Sequence, residues 1–534
     1  MRTCGEVLVG LLEAYGIDTV FGIPGVHTVE LYRGLPATRL RHITPRHEQG
    51  AGFMADGYAR ACGRPAACFI ISGPGLTNIA TALGQAYADS VPLLVISSVN
   101  NSHELGLGEG RLHELPSQRN LMAGLTAFSH TLLRPDELPE VLAHAFAVFH
   151  GARPRPVHIE LPLDVITTPA DHVRRQIVAP LARPGPAADV IAAAAELLHG
   201  ARRPLVVLGG GAQDAASQAR ALIERLGALT VTTINGMGIL PPEHPLCLGS
   251  TLSQPPVLEE LAAADVVLAV GTELGETDTL MFDSRLALGG RLIRIDVDPG
   301  QLTRNALPEI AILSDAGMAL QALERELEDY EIDKAPATSR AQTLREQSQR
   351  LLDKRQRLHQ RFMAVVQQAL PGVIVVGDST QPVYSANLFY RPERPRSYFN
   401  SSTGYGTLGY ALPAALGAKL ARPERPVVAL IGDGGLQFTV GELATAVELA
   451  LPLPILLWNN RGYSEIKRYM AERSIPQIGV DIYTPDFLTI ARGFGCRAER
   501  AESLEQLRDL LHQSRQEAGP TLIEIDEEAA LGRW

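Results

Sequence analysis

The chain has 534 residues, 46% of them hydrophobic and 20% charged, and a net charge of -11 at pH 7. That length exceeds what one core supports and fits about three domains. The acidic balance argues against a general nucleic-acid or anionic-membrane partner. Five cysteines, Cys4, Cys62, Cys68, Cys247 and Cys496, form no CxxC pair, so neither a zinc knot nor a disulfide framework is expected.

At the amino terminus Val7, Leu8, Leu11, Leu12 and Tyr15 fall on one helix face, while Glu6 and Glu13 break the pattern of a signal peptide. No uncharged apolar run reaches the ~18 residues of a membrane span, and a cytoplasmic protein is expected. Pro65 to Ile71 reads as a strand that runs through Ser72-Gly73-Pro74-Gly75 into a helix, followed by a second strand at Val91 to Ile96. Pro204 to Leu208, Asp265 to Val270 and Leu292 to Asp298 read as three strands of a middle sheet. Gly209-Gly210-Gly211-Ala212 lacks the full GxGxxG spacing and reads as a tight turn. Linkers are expected at about 168–188 and 331–345, with a charged helical stretch over 342–360.

Near the carboxyl end Pro426 to Ile431 reads as a buried strand delivering Gly432-Asp433-Gly434; a helix follows, and Ile455 to Trp458 delivers Asn459-Asn460. The strand-opening prolines lie 27 residues apart in the first copy (65 to 92) and 26 in the second (426 to 452), which makes a weak internal repeat. The expected fold class is α/β, with three doubly wound parallel-sheet domains at 1–175, 186–330 and 345–534. In such a sheet the loops at the carboxyl ends of neighbouring strands face one crevice, so Asp433 and Asn460 can converge on one ion. A carboxylate, an amide oxygen and a backbone carbonyl are hard ligands suited to Mg²⁺. The glycines let phosphate oxygens approach a helix amino terminus, which points to a magnesium-held diphosphate.

Arg46-His47-Glu48-Gln49-Gly50-Ala51-Gly52-Phe53-Met54-Ala55-Asp56-Gly57-Tyr58-Ala59-Arg60 and the segment Gly404 to Ala415, with the GDG-to-NN spacing, resemble blocks of the thiamine-diphosphate-dependent acetolactate synthase and 2-oxoacid decarboxylase family. Phe21-Gly22-Ile23-Pro24-Gly25 and Ser72 to Asn78 resemble two more of its blocks, in the expected order. The resemblance implies thiamine diphosphate and Mg²⁺ as cofactors. Asp433, Asn460 and the carbonyl of Gly462 match the metal ligands; Gly434, Gly435, Thr380 and Gln381 match diphosphate contacts. Pro24, Thr77, Asn78 and Tyr463 also match cofactor-binding positions. Leu408 occupies the place of the residue that props the cofactor into its bent shape, and the Gly406 carbonyl that of the acceptor for its amino group. Glu48 matches the glutamate that hydrogen-bonds the aminopyrimidine ring and so activates the cofactor. The family places this glutamate and the metal site on different subunits, implying a homodimer or homotetramer.

Within the family, the segment Gly271 to Asp278 lacks the basic residue expected where relatives contact flavin, which puts FAD in doubt. The loop Asn101 to Gln118 resembles that of 2-ketoarginine decarboxylases, and the resemblance implies non-oxidative decarboxylation of a 2-oxo acid, 5-guanidino-2-oxopentanoate, to an aldehyde and CO₂ in arginine catabolism. Gln118 and His113 are candidate catalytic residues, and His27 is a candidate substrate contact. Glu465 suits a guanidinium tail through paired hydrogen bonds; the alternative is surface pairing with Arg468 or Arg461. Two other functions stand open: an acetolactate-synthase-like carboligase, and a catalytically silent cofactor-binding paralogue.

Overall fold

A computed structural model describes residues 1–534 except 175, 283–285 and 331–333. The apolar runs become strands of three six-stranded sheets, parallel throughout the described pairings. The first sheet holds β1 (Thr19–Gly22), β2 (Arg41–Ile43), β3 (Ala66–Ile70), β4 (Leu93–Val99), β5 (Ser129–Thr131) and β6 (Val157–Pro162), in the order β2-β1-β3-β4-β6-β5. The second holds β7 (Pro204–Leu208), β8 (Leu229–Thr232), β9 (Cys247–Gly249), β10 (Val266–Val270), β11 (Arg291–Asp296) and β12 (Ile310–Leu313), in the order β12-β11-β10-β7-β8-β9. The third holds β13 (Ile374–Gly377), β14 (Tyr398–Asn400), β15 (Val427–Gly432), β16 (Pro454–Asn459), β17 (Arg497–Arg500) and β18 (Thr521–Asp526), in the order β14-β13-β15-β16-β18-β17. The first and third orders are the same pattern, as the repeat predicts.

In the second sheet the glycine turn after β7 serves packing. Gly209 N–H donates to the Val270 carbonyl at 2.9 Å and Gly211 N–H to the Gly271 carbonyl at 2.9 Å. A Cβ on Gly211 would lie 2.8 Å from the Gly271 Cα, so the turn presses two backbones together at the ends of β7 and β10. The linker expected at 331–345 is largely helix: 331–333 lie outside the described residues, and Ala335–Arg350 is helical with Ala337, Ala341, Leu344 and Ser348 buried at helical spacing. Its small and polar residues read as loop by composition, but the i, i+4, i+7 apolar stripe decides.

The chain forms two compact units. One comprises Met1–Ala182, Tyr405–Arg500 and Gln513–Glu524; the other comprises Arg183–Gly404, Ala501–His512 and Ile525–Trp534. The first carries the helices that concern function: α1 (Glu48–Cys62), α2 (Pro74–Ala88), α3 (Ala411–Ala421), α4 (Asp433–Thr439), α5 (Glu442–Glu448) and α6 (Ser464–Glu472). Helices α1 and α3 meet backbone to backbone. A Cβ on Gly57 would overlap the Ala414 carbonyl, and one on Gly417 the Met54 carbonyl. Beside this contact, Asp56 is fully buried and accepts from Tyr410 Oη and from Arg60 Nε at 2.7 Å, while Arg60 Nη2 reaches Asp89 at 2.5 Å. Burial pushes the Asp56 carboxyl up and Arg60 pulls it back. Breaking one arm of such a buried ionic group typically costs ~3–5 kcal/mol.

Two consequences are testable. Gly417→Ala should force α1 and α3 apart and lower the urea midpoint by the equivalent of ~1–3 kcal/mol; an unchanged midpoint would show that the contact yields freely. His158, on β6, is fully buried between the hydroxyls of Ser97 (2.8 Å) and Ser129 (2.7 Å), and burial takes its pKa from 6.5 to about 3. Below pH 6.5 the unfolded chain binds a proton that the native state refuses, so this contribution is complete above pH 6.5 and is lost as the pH falls towards 3. Between pH 7 and pH 5 the native protein should give up about 2 kcal/mol more than His158→Gln, as read from urea midpoints at the two pH values. Equal losses would contradict the assignment.

Candidate active site

Strand β15 ends at Gly432 and Asp433 opens α4, so a carboxylate sits among the free N–H groups of a helix start. Asp433 is 1% exposed; Oδ2 accepts from Gly462 N–H at 2.9 Å and Oδ1 from Asn460 N–H at 3.4 Å. Burial raises its pKa, opposed by these backbone bonds. The Asn460 side-chain oxygen lies 3.2 Å from Asp433 Oδ1 and 2.9 Å from the Gly462 carbonyl oxygen. Three acceptor oxygens thus crowd one point. A cation at their centre would satisfy all three; without one, turning the amide over would replace acceptor with donor. Gly462 has φ +142°, and a Cβ there would overlap the Val480 carbonyl, so only glycine offers that carbonyl. Gly434 lies under the Tyr463 ring, where a Cβ would be 2.7 Å from Cε1, and Gly435 is buried beside it. Among the described residues no cluster of three or more His, Cys, Asp and Glu could hold a metal. The oxygen set here is of another kind and fits a hard cation. The first asparagine of the pair, Asn459, is structural: its amide donates to Glu524 at 2.7 Å.

Glu48 is the first residue of α1 and is half-buried; Asn78 of α2 donates to its Oε2 at 2.9 Å. The turn Gly73-Pro74-Gly75 carries this group on one side and an imidazole pair on the other. A Cβ on Gly75 would lie 3.2 Å from Glu48 Oε1, and one on Gly73, at φ +64°, 2.8 Å from His113 Cβ. His27 Nδ1 bonds the fully buried Ser72 hydroxyl at 2.6 Å, and that hydroxyl meets His113 Nδ1 at 3.4 Å, with the rings edge to face at 5.0 Å. His113 itself is held at φ +62°. Burial, then the neighbouring His113, lowers the His27 pKa. Gln118 is 3% exposed and fully engaged: it accepts from Gly73 N–H at 3.2 Å and donates to the Ser98 carbonyl at 2.7 Å, which fixes the same turn.

The other residues singled out in the sequence are more dispersed. Gly406 is exposed at φ +74° with nothing near its Cβ direction, and Leu408 is half-buried after Thr407, whose hydroxyl donates to Gln85 of α2 at 2.9 Å. Pro24 is exposed, and the Thr77 hydroxyl donates to the Pro74 carbonyl at 2.9 Å. Thr380 and Gln381 lie in the second compact unit, at the start of the helix Gln381–Phe389, both buried. Glu465 is paired with Arg468 on α6, a helix with no buried residue. Ser72, the hydroxyl between the histidines, carried no signal beyond its place in the glycine turn.

Family profiles for thiamine pyrophosphate enzymes match three stretches: the N-terminal TPP binding domain at 2–121, the central domain at 191–323 and the C-terminal TPP binding domain at 359–525. The chain is 49% identical over 528 residues to the probable 2-ketoarginine decarboxylase AruI of Pseudomonas aeruginosa, covering 98% of this chain and 94% of that one. It is 31% identical to the probable acetolactate synthase large subunit of Methanocaldococcus jannaschii (97% and 91% covered) and 30% to the acetolactate synthase isozyme 1 large subunit of Escherichia coli (98% and 93%). With full-length likeness, all three domain profiles and three parallel sheets in hand, the chain belongs to the thiamine pyrophosphate enzyme family.

Proposed function

We propose that this chain is a thiamine-diphosphate- and Mg²⁺-dependent decarboxylase of 2-oxo acids, with 2-ketoarginine as its substrate and an aldehyde and CO₂ as products. The observation that carries the reading is the 49% identity, over nearly the whole of both chains, to a protein named for that reaction, against 29–32% to acetolactate synthases. The thiazolium ring of the cofactor, when bound, supplies the electron sink without which a 2-oxo acid cannot release CO₂ readily.

The chain's own residues bind, orient and move protons. Asp433, the Asn460 amide oxygen and the Gly462 carbonyl hold Mg²⁺, supported by the convergence of their oxygens. Gly434 and Gly435 admit diphosphate oxygens to the start of α4; Thr380, Gln381, Pro24, Thr77 and Tyr463 are assigned to the cofactor by resemblance. The Gly406 carbonyl would accept a hydrogen bond from the aminopyrimidine, Leu408 would pack against the cofactor, and Glu48, steadied by Asn78, would hold a proton at the ring nitrogen. His27 and His113, joined through Ser72, hold the proton returned to the carbon that has lost CO₂, and Gln118 keeps their turn in place. Burial and the neighbouring His113 lower the His27 pKa, so His27, once protonated, gives its proton up more readily than a free imidazolium. For Glu465 to receive the substrate's guanidinium, that group must take the place of Arg468. We assign a homodimer or homotetramer in the cytoplasm, with sites between subunits. Support for assembly comes from Ile466 and Tyr469, each 51% exposed on α6, and among the described residues no helix is long and apolar enough to cross a membrane.

A panel of 2-oxo acids offered to the purified protein with thiamine diphosphate and Mg²⁺ should show 2-ketoarginine turned over with the highest kcat/KM and no acetolactate from pyruvate. Acetolactate as the main product would favour the carboligase. Glu48→Gln should lower kcat by at least ~100-fold; unchanged turnover would defeat the mechanism. Glu465→Ala should lower kcat/KM for 2-ketoarginine by roughly 10- to 100-fold, the worth of a paired charge-assisted contact, and spare apolar oxo acids. Equal losses on both would defeat guanidinium recognition by this residue.

A further inference from the structure

Glu442 is not among the residues assigned to the site, yet it is 1% exposed and opens α5, the helix that follows the one begun by Asp433. Its Oε1 accepts from the backbone N–H of Arg46 at 3.0 Å and of His47 at 3.2 Å, and its Oε2 from the Thr445 hydroxyl at 2.7 Å. The guanidinium of Arg46 is turned elsewhere, to Glu448 and to the Thr44 carbonyl at 2.8 Å, so it makes no hydrogen bond to this carboxylate.

The two N–H groups decide what Glu442 does. His47 is the N-cap of α1 and Arg46 precedes it, so neither can donate within the helix that they introduce. Glu48 is the very next residue. A Cβ on Gly50 would overlap Glu442 Oε1, so the carboxylate also lies hard against the first turn of α1. A single oxygen from α5 thus sets where the chain turns into α1, and with it where Glu48 starts.

We propose that Glu442 is the positioning residue for Glu48: by accepting from Arg46 and His47 it ties the turn before Glu48 to the helix pair that begins at Asp433. The inference rests on the role given above to Glu48. The hydrogen bonds of the tie come from backbone amides and a hydroxyl, so they require an acceptor oxygen at this reach, while the nearby Arg46 charge only favours the ionised form. Glutamine keeps an oxygen at the same reach; aspartate keeps the charge but withdraws it by one methylene.

The test compares Glu442→Gln, Glu442→Asp and the exposed control Glu448→Gln in the whole protein. Hydrogen–deuterium exchange over residues 44–50 is read without cofactor, and kcat and KM with it. Glu442→Gln and the control should keep exchange and kcat within about 2-fold of the native protein, while Glu442→Asp exchanges roughly 5-fold faster over 44–50 and loses about 10-fold in kcat with KM changed less than about 3-fold. The reverse order, with aspartate near native and glutamine impaired, would overturn the proposal, as would unchanged exchange in both. Faster exchange in Glu442→Asp with native kcat would overturn the link to Glu48. If the native protein turned over no oxo acid, the function proposed above would fall, while the exchange order would still decide whether the tie exists.

Discussion

The close approach of α1 and α3 is the constraint on which the first unit depends. Helices normally pack with axes 8–10 Å apart, held off by their side chains. Here Gly57 and Gly417 remove two side chains and let each helix rest on a carbonyl of the other. Helix α1 carries Glu48 at its first residue, and α3 begins directly after the Gly406–Leu408 segment. A contact with no slack therefore fixes the candidate proton-exchanging carboxylate relative to the Gly406–Leu408 segment of the same chain. Beside that contact Asp56, held by Arg60 of its own helix, accepts from Tyr410 at the start of α3, so a buried hydrogen bond also spans the two helices.

Around this frame the polar groups divide by task. Asp433, with its oxygens turned towards those of Asn460 and Gly462, is the carboxylate proposed to face the cation. Glu442 and Gln118 are spent on backbone amides and carbonyls and hold turns. His27, Ser72 and His113 form a short chain of exchangeable protons on the far side of the glycine turn from Glu48. A single turn, Gly73 to Gly75, thus has the Glu48 carboxylate against one end and His113 against the other, and glycine at both ends is what allows them to approach it so closely.

The fold was legible because its strands are buried on both faces and read as unbroken apolar runs, and because the repeat of strand, glycine turn and helix predicts one topology twice. The meeting of Asp433 with Asn460 and Gly462 was legible because they follow two neighbouring buried strands of one parallel sheet, whose end loops face one crevice. Other features escaped for a common reason. Arg46 and Glu442 are 396 residues apart, and nothing local marks that carboxylate as an acceptor for a distant turn. Gly57 and Gly417 look like ordinary weak spots in helices until the opposing carbonyls are seen. The helix 335–350 hid behind a composition of small and polar residues. For Glu465 the sequence offered two partners of nearly equal chemistry, and the structure pairs it with Arg468.

What separates a decarboxylase from its carboligating relatives is the fate of the carbon left after CO₂ departs: it takes either a proton or a second carbonyl compound. The imidazole pair beside the glycine turn argues for the proton. The most direct measurement is product analysis of 2-ketoarginine turnover in D₂O by nuclear magnetic resonance. The account predicts one CO₂ and one aldehyde per substrate consumed, with deuterium on the aldehyde carbon. A coupled product carrying two substrate skeletons, or one substrate and added pyruvate, would contradict it.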